Sequence, residues 1–264
     1  MEKNYTIVDN DLYKDYSYLD AGVYNFEIVI PKEFTEKYDC RRYGAHGTSH
    51  KYLSEVGLKY LPGVEHPRII SCHIGSGASI TAIKDGKCVA TSMGLTPLGG
   101  IMMGTRTGDL DPSVMNYLCN CTGKSVEEMY QIFNKQSGFQ GVSTVSNDSR
   151  DVIAAAAAGN KDAQLSIRLF TRRIADFIGQ YYVRLGGADL IIFSAGIGEN
   201  SVESREDILK EITPALGLSI DYEANKVRGQ EVLLSKPDSK IKVVVIPTDE
   251  EVMIARDTFS FYKK

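Results

Sequence analysis

Hydrophobic spacing divides the chain into three zones. Residues 1–38 are rich in Tyr, Asp, Glu and Lys and show weak periodicity. Residues 39–120 are dense in glycine and read as strands. Residues 125–264 alternate helical patterns with short β-branched runs. Within the second zone, residues 69–74 form a short buried run that ends at Gly75-Ser76-Gly77. Residues 78–84 then alternate apolar with polar, Asp85-Gly86 supplies a hairpin turn, and residues 87–92 return. The pattern predicts a three-stranded meander whose first turn is Gly-x-Gly.

Helix signals follow. Asp111-Pro112 reads as an N-cap with proline at the first helical position, predicting a helix to about Leu118. Ser125 and Glu128 have capping-box spacing. The longest helix is expected over residues 162–185, where Phe170, Ile174, Phe177, Ile178, Tyr181 and Leu185 share one face and Gly186-Gly187 stops it. Residues 190–193 and 242–246 read as short buried strands, each leading through a polar loop into a helix. Thr248 and Glu251 are spaced to box the second of these helices. This strand–loop–helix order predicts an α/β sheet with ligands at the carboxyl ends of its strands.

Composition narrows the classes. The chain has 264 residues, 24% charged and 43% hydrophobic, with a net charge of −4. These values fit a globular protein, and the lack of a long basic block argues against nucleic acid. No apolar run approaches the roughly 20 residues of a spanning helix, and the polar start MEKNYTIVDND does not read as a secretory signal. Five cysteines without a C-x-x-C pair read as free thiols of a reducing cytoplasm.

Candidate chemistry lies in small segments. The glycine-bearing loops His73-Ile74-Gly75-Ser76-Gly77 and Gly196-Ile197-Gly198-Glu199-Asn200 each follow a buried strand, and small residues let backbone N–H groups approach an anion. Each could equally be a structural turn. Arg106, set between Gly104 and Gly108, suits a carboxylate or phosphate, or else a surface pair with Asp109 or Asp111. His46 and His50 stand at a metal-like helical spacing, but Gly47 argues against a helix there, leaving two hydrogen-bonded histidines. Asp148, Ser149 and Arg150 mark a loop-to-helix boundary and could simply cap it. Glu250, in a first helical turn, suits the helix dipole or Mg²⁺ held through water.

Taken together these segments are far more specific. Residues 41–50 (RRYGAHGTSH), 73–79 (HIGSGAS), 91–111 (TSMGLTPLGGIMMGTRTGDLD), 193–201 (FSAGIGENS) and 247–258 (PTDEEVMIARDT) resemble, in this order, the signature segments of the acetokinase family. The resemblance runs from about residue 31 to the end of the chain. It implies an actin-like (ASKHA, ribonuclease H-like) α/β domain with helical additions over residues 31–264, behind a divergent segment 1–30. It further implies reversible transfer of the ATP γ-phosphoryl group to the carboxylate of acetate, giving ADP and acetyl phosphate, in a cytoplasmic homodimer using Mg²⁺ or Mn²⁺. By the same resemblance, His73, Ile74, Gly75, Ser76 and Gly77 contact nucleotide phosphates. Gly196, Ile197, Gly198, Glu199 and Asn200 line the adenosine pocket, and Asp148, Ser149 and Arg150 help hold the nucleotide. His46 and Arg106 face the transferring group, and Glu250 supports the metal.

The chain departs from the family at three places. Ser76 stands where asparagine is usual, and Gly99 where glutamate is usual. The family's amino-terminal domain has no counterpart in residues 1–30; it carries an asparagine near the metal, an acetate-binding arginine and a catalytic aspartate. Asp15 lies near that aspartate's place but in different surroundings, and takes no role. Two alternatives therefore stand beside the acetate reaction: a non-catalytic nucleotide-binding module or fragment, and a relative acting on propionate or butyrate.

Overall fold

The computed structural model describes residues 28–262. The expected divergent segment lies, for residues 1–27, outside the described residues. A short helix α1 (Lys32–Tyr38) leads to α2 (Gly47–Gly57) and then to the meander β1 (Arg68–Ile74), β2 (Ala78–Lys84) and β3 (Lys87–Thr91). Helices α3 (Pro112–Thr122), α4 (Val126–Lys135), α5 (Gly138–Ser143), α6 (Ser149–Ala157) and α7 (Lys161–Leu185) follow. The last third holds β4 (Leu190–Ser194), α8 (Ala195–Asn200), α9 (Val202–Leu216), β5 (Val232–Leu233), β6 (Lys242–Val245) and α10 (Glu250–Tyr262).

The six strands form one sheet in the order β3-β2-β1-β4-β6-β5. β1 pairs antiparallel with β2 and parallel with β4, and β4 pairs parallel with β6. An antiparallel meander continued by parallel strands is the ribonuclease H-like sheet of the actin-like fold, as the resemblance implied. β1 sits at its centre and is buried almost throughout. Parallel pairing requires crossovers, and these deliver α7 to one face and the carboxyl ends of β1, β4 and β6 to a common edge.

The two faces of β1 and β2 differ because side chains alternate. Ile70, Cys72, Ile74, Ala78, Ile80 and Ala82 join Phe170, Ile174 and Ile178 of α7 in the larger core. The opposite face starts apolar, where Ile69, Leu190, Ile192 and Val244 meet Leu53 of α2. Toward the strand ends the same face turns polar, with Ser71, His73 and Ser79 all buried. α2 lies close on this face: a carbon added at Gly57 would stand 2.9 Å from both Ile192 Cδ1 and Leu190 Cδ2.

The expected meander, the α3 proline start, the Ser125–Glu128 capping box and the long helix ending at Gly186 are all present. Three expectations change. α2 begins at Gly47 despite its poor propensity, because tertiary burial of Ser49, His50, Leu53 and Ser54 outweighs a cost of about 1 kcal/mol. The loop expected at Gly196 is the short helix α8, entered through Ala195 at φ +63°. Asp249, rather than Thr248, accepts the backbone N–H of Val252 at the start of α10; the Thr248 hydroxyl is instead paired with Ser49.

Residues 92–111 have no regular structure, yet Met93, Ile101 and Met103 are fully buried. Backbone hydrogen bonds lace this segment to the start of α5. Ser137 N–H donates to Thr105 O, Phe139 N–H to Met103 O and Gln140 N–H to Gly104 O, each at 2.9 Å. Gly138 sits in this seam at φ +61°, where an added carbon would lie 2.0 Å from Met103 O. Gly138→Ala is therefore expected to cost at least about 2 kcal/mol. Gly123→Ala, at φ +70° but with open space around it, should cost about 1 kcal/mol. Urea unfolding of the two variants beside the parent protein checks the ordering.

Candidate active site

The turn after β1 is the centre of the site. Gly75 N–H donates to Gly77 O at 3.1 Å, closing the turn, and Gly104 N–H donates to Ser76 O at 3.2 Å, tying it to the arginine loop. A carbon added at Gly77 would lie 3.4 Å from Arg106 Nη1 and 3.6 Å from His46 Nε2. A guanidinium and an imidazole thus converge on one small backbone turn. Arg106 is held by Pro97 O at 3.3 Å and Met103 Sδ at 3.6 Å. The surface pairing considered for it is not found: Asp109 accepts from Gly100 N–H and Asp111 caps α3.

Behind the turn lies a buried chain of imidazoles and hydroxyls. His46 precedes α2 in the left-handed region at φ +62°, a backbone state uncommon for histidine. Its ring stacks on His73 with centroids 4.0 Å apart. His46 Nδ1 meets Ser79 Oγ at 2.9 Å, and the same oxygen meets His50 Nε2 at 2.8 Å. His50 Nδ1 meets Ser71 Oγ at 2.9 Å. A second branch runs from His73 Nδ1 through Ser49 Oγ to Thr248 Oγ1, with both steps 2.8 Å.

All three imidazoles are held neutral. Burial, reinforced by the Arg106 charge, pushes His46 down to about 4. Burial and the neighbouring His46 push His73 down to about 3. Complete burial, then His73 and His46, hold His50 well below the usual histidine range. Neutral rings remove mutual repulsion and leave Arg106 to supply positive charge at the turn.

A cleft of about 720 Å³ opens on the other side of the turn. Gly75, Ser76, Asp148, Ser149, Arg150, Gly196, Ile197 and Asn200 line it, so most of the residues singled out in three distant segments meet there. Asp148 caps α6 by accepting Arg150 N–H, and the Arg150 side chain pairs with it, holding its carboxyl down to about 2. Other singled-out residues sit behind the wall. Ile74 is core, and a carbon added at Gly198 would lie 3.7 Å from Ile74 Cβ. Glu199 is occupied by the backbone N–H groups of Ala195 at 2.8 Å and Thr248 at 3.1 Å.

Glu250 opens α10, two residues after Thr248, and does not line the cleft. Among the described residues no three His, Cys, Asp or Glu side chains form a metal cage. A single carboxylate still fits Mg²⁺, which keeps several waters and takes phosphate oxygens as further ligands.

Sequence reasoning passed over several contributors. Arg205 of α9 is completely buried and, among the described residues, pairs with no carboxylate; it donates to Gly198 O at 3.0 Å, Asn225 Oδ1 at 2.7 Å and Val227 O at 2.8 Å. It fixes α8 from beneath, and no local pattern marks it. Ser71 and Ser79 had a signal, since they are polar at alternate positions of otherwise apolar strands.

A sequence model described as the acetokinase family matches residues 19–256. The acetate kinase of Treponema denticola is 49% identical over 240 residues, covering 90% of this chain and 60% of that protein. Among solved structures, Porphyromonas gingivalis acetate kinase superposes with a TM-score of 0.86 at 42% identity, covering 89% of this chain and 59% of that one. A propionate kinase from Francisella tularensis gives 0.84 at 40% identity, covering 93% and 65%. The chain spans about 60% of the length of the curated relatives it matches.

The neutral histidines set a pH dependence. The unfolded chain takes up imidazole protons near pH 6.5, whereas the folded chain resists until about 4 at His46 and about 3 at His73. The unfolded state binds more protons in that window, so stability falls as pH drops from 6.5 toward 4. By pH 5 His73 alone should remove roughly 2 kcal/mol, and His50, also held well below the usual histidine range by burial, acts in the same direction. Urea midpoints between pH 7.5 and 5 check this, and a flat profile contradicts it.

Proposed function

The chain belongs to the acetokinase family, and from that premise and the site geometry we propose that it binds ATP or ADP in the cleft and supports phosphoryl transfer to acetate. The observation that carries the reading is the convergence of Arg106 and His46 on the Gly75-Ser76-Gly77 turn. With the nucleotide phosphates against that turn, backbone N–H groups and Arg106 face the γ-phosphoryl group. A carboxylate oxygen of acetate attacks phosphorus, and the bond to the β,γ-bridging oxygen breaks. ADP leaves with that electron pair, and acetyl phosphate forms. Acetate is already ionised at neutral pH, so the step needs no general base; it needs alignment and donors for the spread charge. In this reading the Glu250 carboxylate would hold Mg²⁺ through water, and the ion would supply charge neutralisation when bound.

In this reading Asp148, Ser149 and Arg150 and the α8 residues Gly196, Ile197 and Asn200 hold the nucleoside end, while Ile74, Gly198 and Glu199 support the wall from behind. In the same reading, following the family resemblance, the protein works as a cytoplasmic homodimer. No helix of the described residues is long and apolar enough to cross a membrane, and the net charge of −4 does not favour nucleic acid. The likeness to acetate and propionate kinases is nearly equal, at 42% and 40% identity, and supports a short-chain acyl acceptor without selecting its length.

A second reading has its own observation. The chain, with the residues that line and support the cleft, matches only about 60% of the length of the curated relatives, and an electrostatic contact that faces water is weakened. That favours nucleotide binding without turnover. Acyl-hydroxamate formation from Mg-ATP, acetate and hydroxylamine separates the two. Under the first reading the protein turns over, Arg106→Ala lowers the rate by about 100-fold or more, and ADP affinity measured by calorimetry stays within about twofold. Folded protein that binds ADP without product supports the second reading, and an unaltered rate in Arg106→Ala overturns the role of the arginine.

A further inference from the structure

We propose that Ser79, backed by His50 and Ser71, is a positioning residue that holds His46 in the tautomer with its proton on Nε2, so that the ring presents a donor beside Arg106. The inference rests on the reading of His46 as a partner of the transferring phosphoryl group. Its physical basis is a count of hydroxyl hydrogens.

The count starts at Ser71, which has no solvent exposure. Among the described residues its hydroxyl has one hydrogen-bond partner, His50 Nδ1 at 2.9 Å. A buried hydroxyl carries one hydrogen that must find an acceptor. Ser71 therefore donates and His50 Nδ1 accepts. His50 is neutral, so its proton is on Nε2, which donates to Ser79 Oγ at 2.8 Å. Ser79 Oγ now accepts from His50 and has its own hydrogen to place. The choices are His46 Nδ1 at 2.9 Å and Ala45 O at 3.4 Å; the shorter, stronger bond goes to His46. With Nδ1 accepting, the His46 proton resides on Nε2, the nitrogen facing the Gly77 turn.

The reverse direction fails the same count. If His50 Nδ1 donated to Ser71, the Ser71 hydrogen would be stranded in the core. Ser79 would spend its hydrogen on His50, and His46 would turn a bare lone pair toward the cleft. The Arg106 charge by itself favours that lone pair, since a cation attracts it. No hydrogen bond joins Arg106 to His46. The relay thus sets the tautomer against the local field and aligns two donors on one spot, as an anion requires.

The chain contains four histidines, few enough to assign by nitrogen-15 NMR of the imidazole rings in the whole protein, with His46→Asn to identify the key resonances. At pH 7.5 the expected result is a bonded proton on Nε2 and an unprotonated Nδ1 for both His46 and His50. In Ser79→Ala the Arg106 field is unopposed, and the His46 proton is expected to move to Nδ1 in most molecules. A His46 proton on Nδ1 in the parent protein overturns the proposal, as does an unchanged His46 tautomer in folded Ser79→Ala. Where that variant does not fold, the parent spectrum alone decides. No substrate is present in the measurement, so its failure is separate from failure of the phosphotransfer reading, which the Arg106→Ala assay tests.

Discussion

The close seating of α2 across the central strands is the constraint from which the site follows. At one end, Gly57 lets the helix approach Leu190 and Ile192, and Leu53 is completely buried between them. At the other end the same rigid helix forces Ser49, His50 and the preceding His46 onto Ser71, His73 and Ser79. Polar groups at that depth must satisfy one another or cost stability. The result is a chain of imidazoles and hydroxyls that is both a packing solution and a fixed array of ring nitrogens. Thr248 extends it to the start of α10, so α2, β1, β2 and the approach to α10 are joined through it.

A second constraint acts on the arginine loop. Residues 92–111 would be expensive to order as a free loop, because each fixed residue costs roughly 1–2 kcal/mol of backbone entropy. They are matched instead to α4 and α5: Thr107 N–H donates to Phe133 O and the Thr105 hydroxyl to Asn134 O, both at 3.0 Å, and Phe139 N–H donates to Met103 O at 2.9 Å. The entropy is spent in folding rather than in binding. Arg106 therefore stands in place before any ligand arrives, the condition under which a donor favours a transition state over a flexible ground state.

The sequence and the structure agree best where signals are local. The Gly-x-Gly and Asp-Gly turns, the Ser125 capping box and the apolar face of α7 each depend on residues a few positions apart, and each is present. The family resemblance brought three distant segments to one cleft before any coordinate did, because it carries tertiary information that spacing lacks. What spacing missed depends on contacts across the fold. Gly47 argued against α2 on propensity, and burial overrode it. Arg205 gave no sign of being buried, because its partners are carbonyls contributed by residues 198, 225 and 227. Glu199 reads from sequence as part of a glycine-bearing loop that lines the adenosine pocket by resemblance; only the fold shows its carboxylate taken up by two backbone amides.

Neutral histidines and a well-placed guanidinium would let an anion approach so near a buried core. Three charged imidazoles in van der Waals reach of one another would repel, and their burial would be costly. Kept neutral, they contribute dipoles whose direction the hydroxyls decide, while the long-range attraction comes from Arg106. That division suits phosphoryl transfer, in which charge spreads over several oxygens and no proton need move. A fixed dipole aimed at the turn stabilises spread charge without adding a site that pH could switch off near neutrality. The same arrangement makes the array sensitive to direction rather than to protonation. Loss of the Ser79 hydroxyl, 2.9 Å from His46 Nδ1, would change which nitrogen carries hydrogen even with both rings left in place.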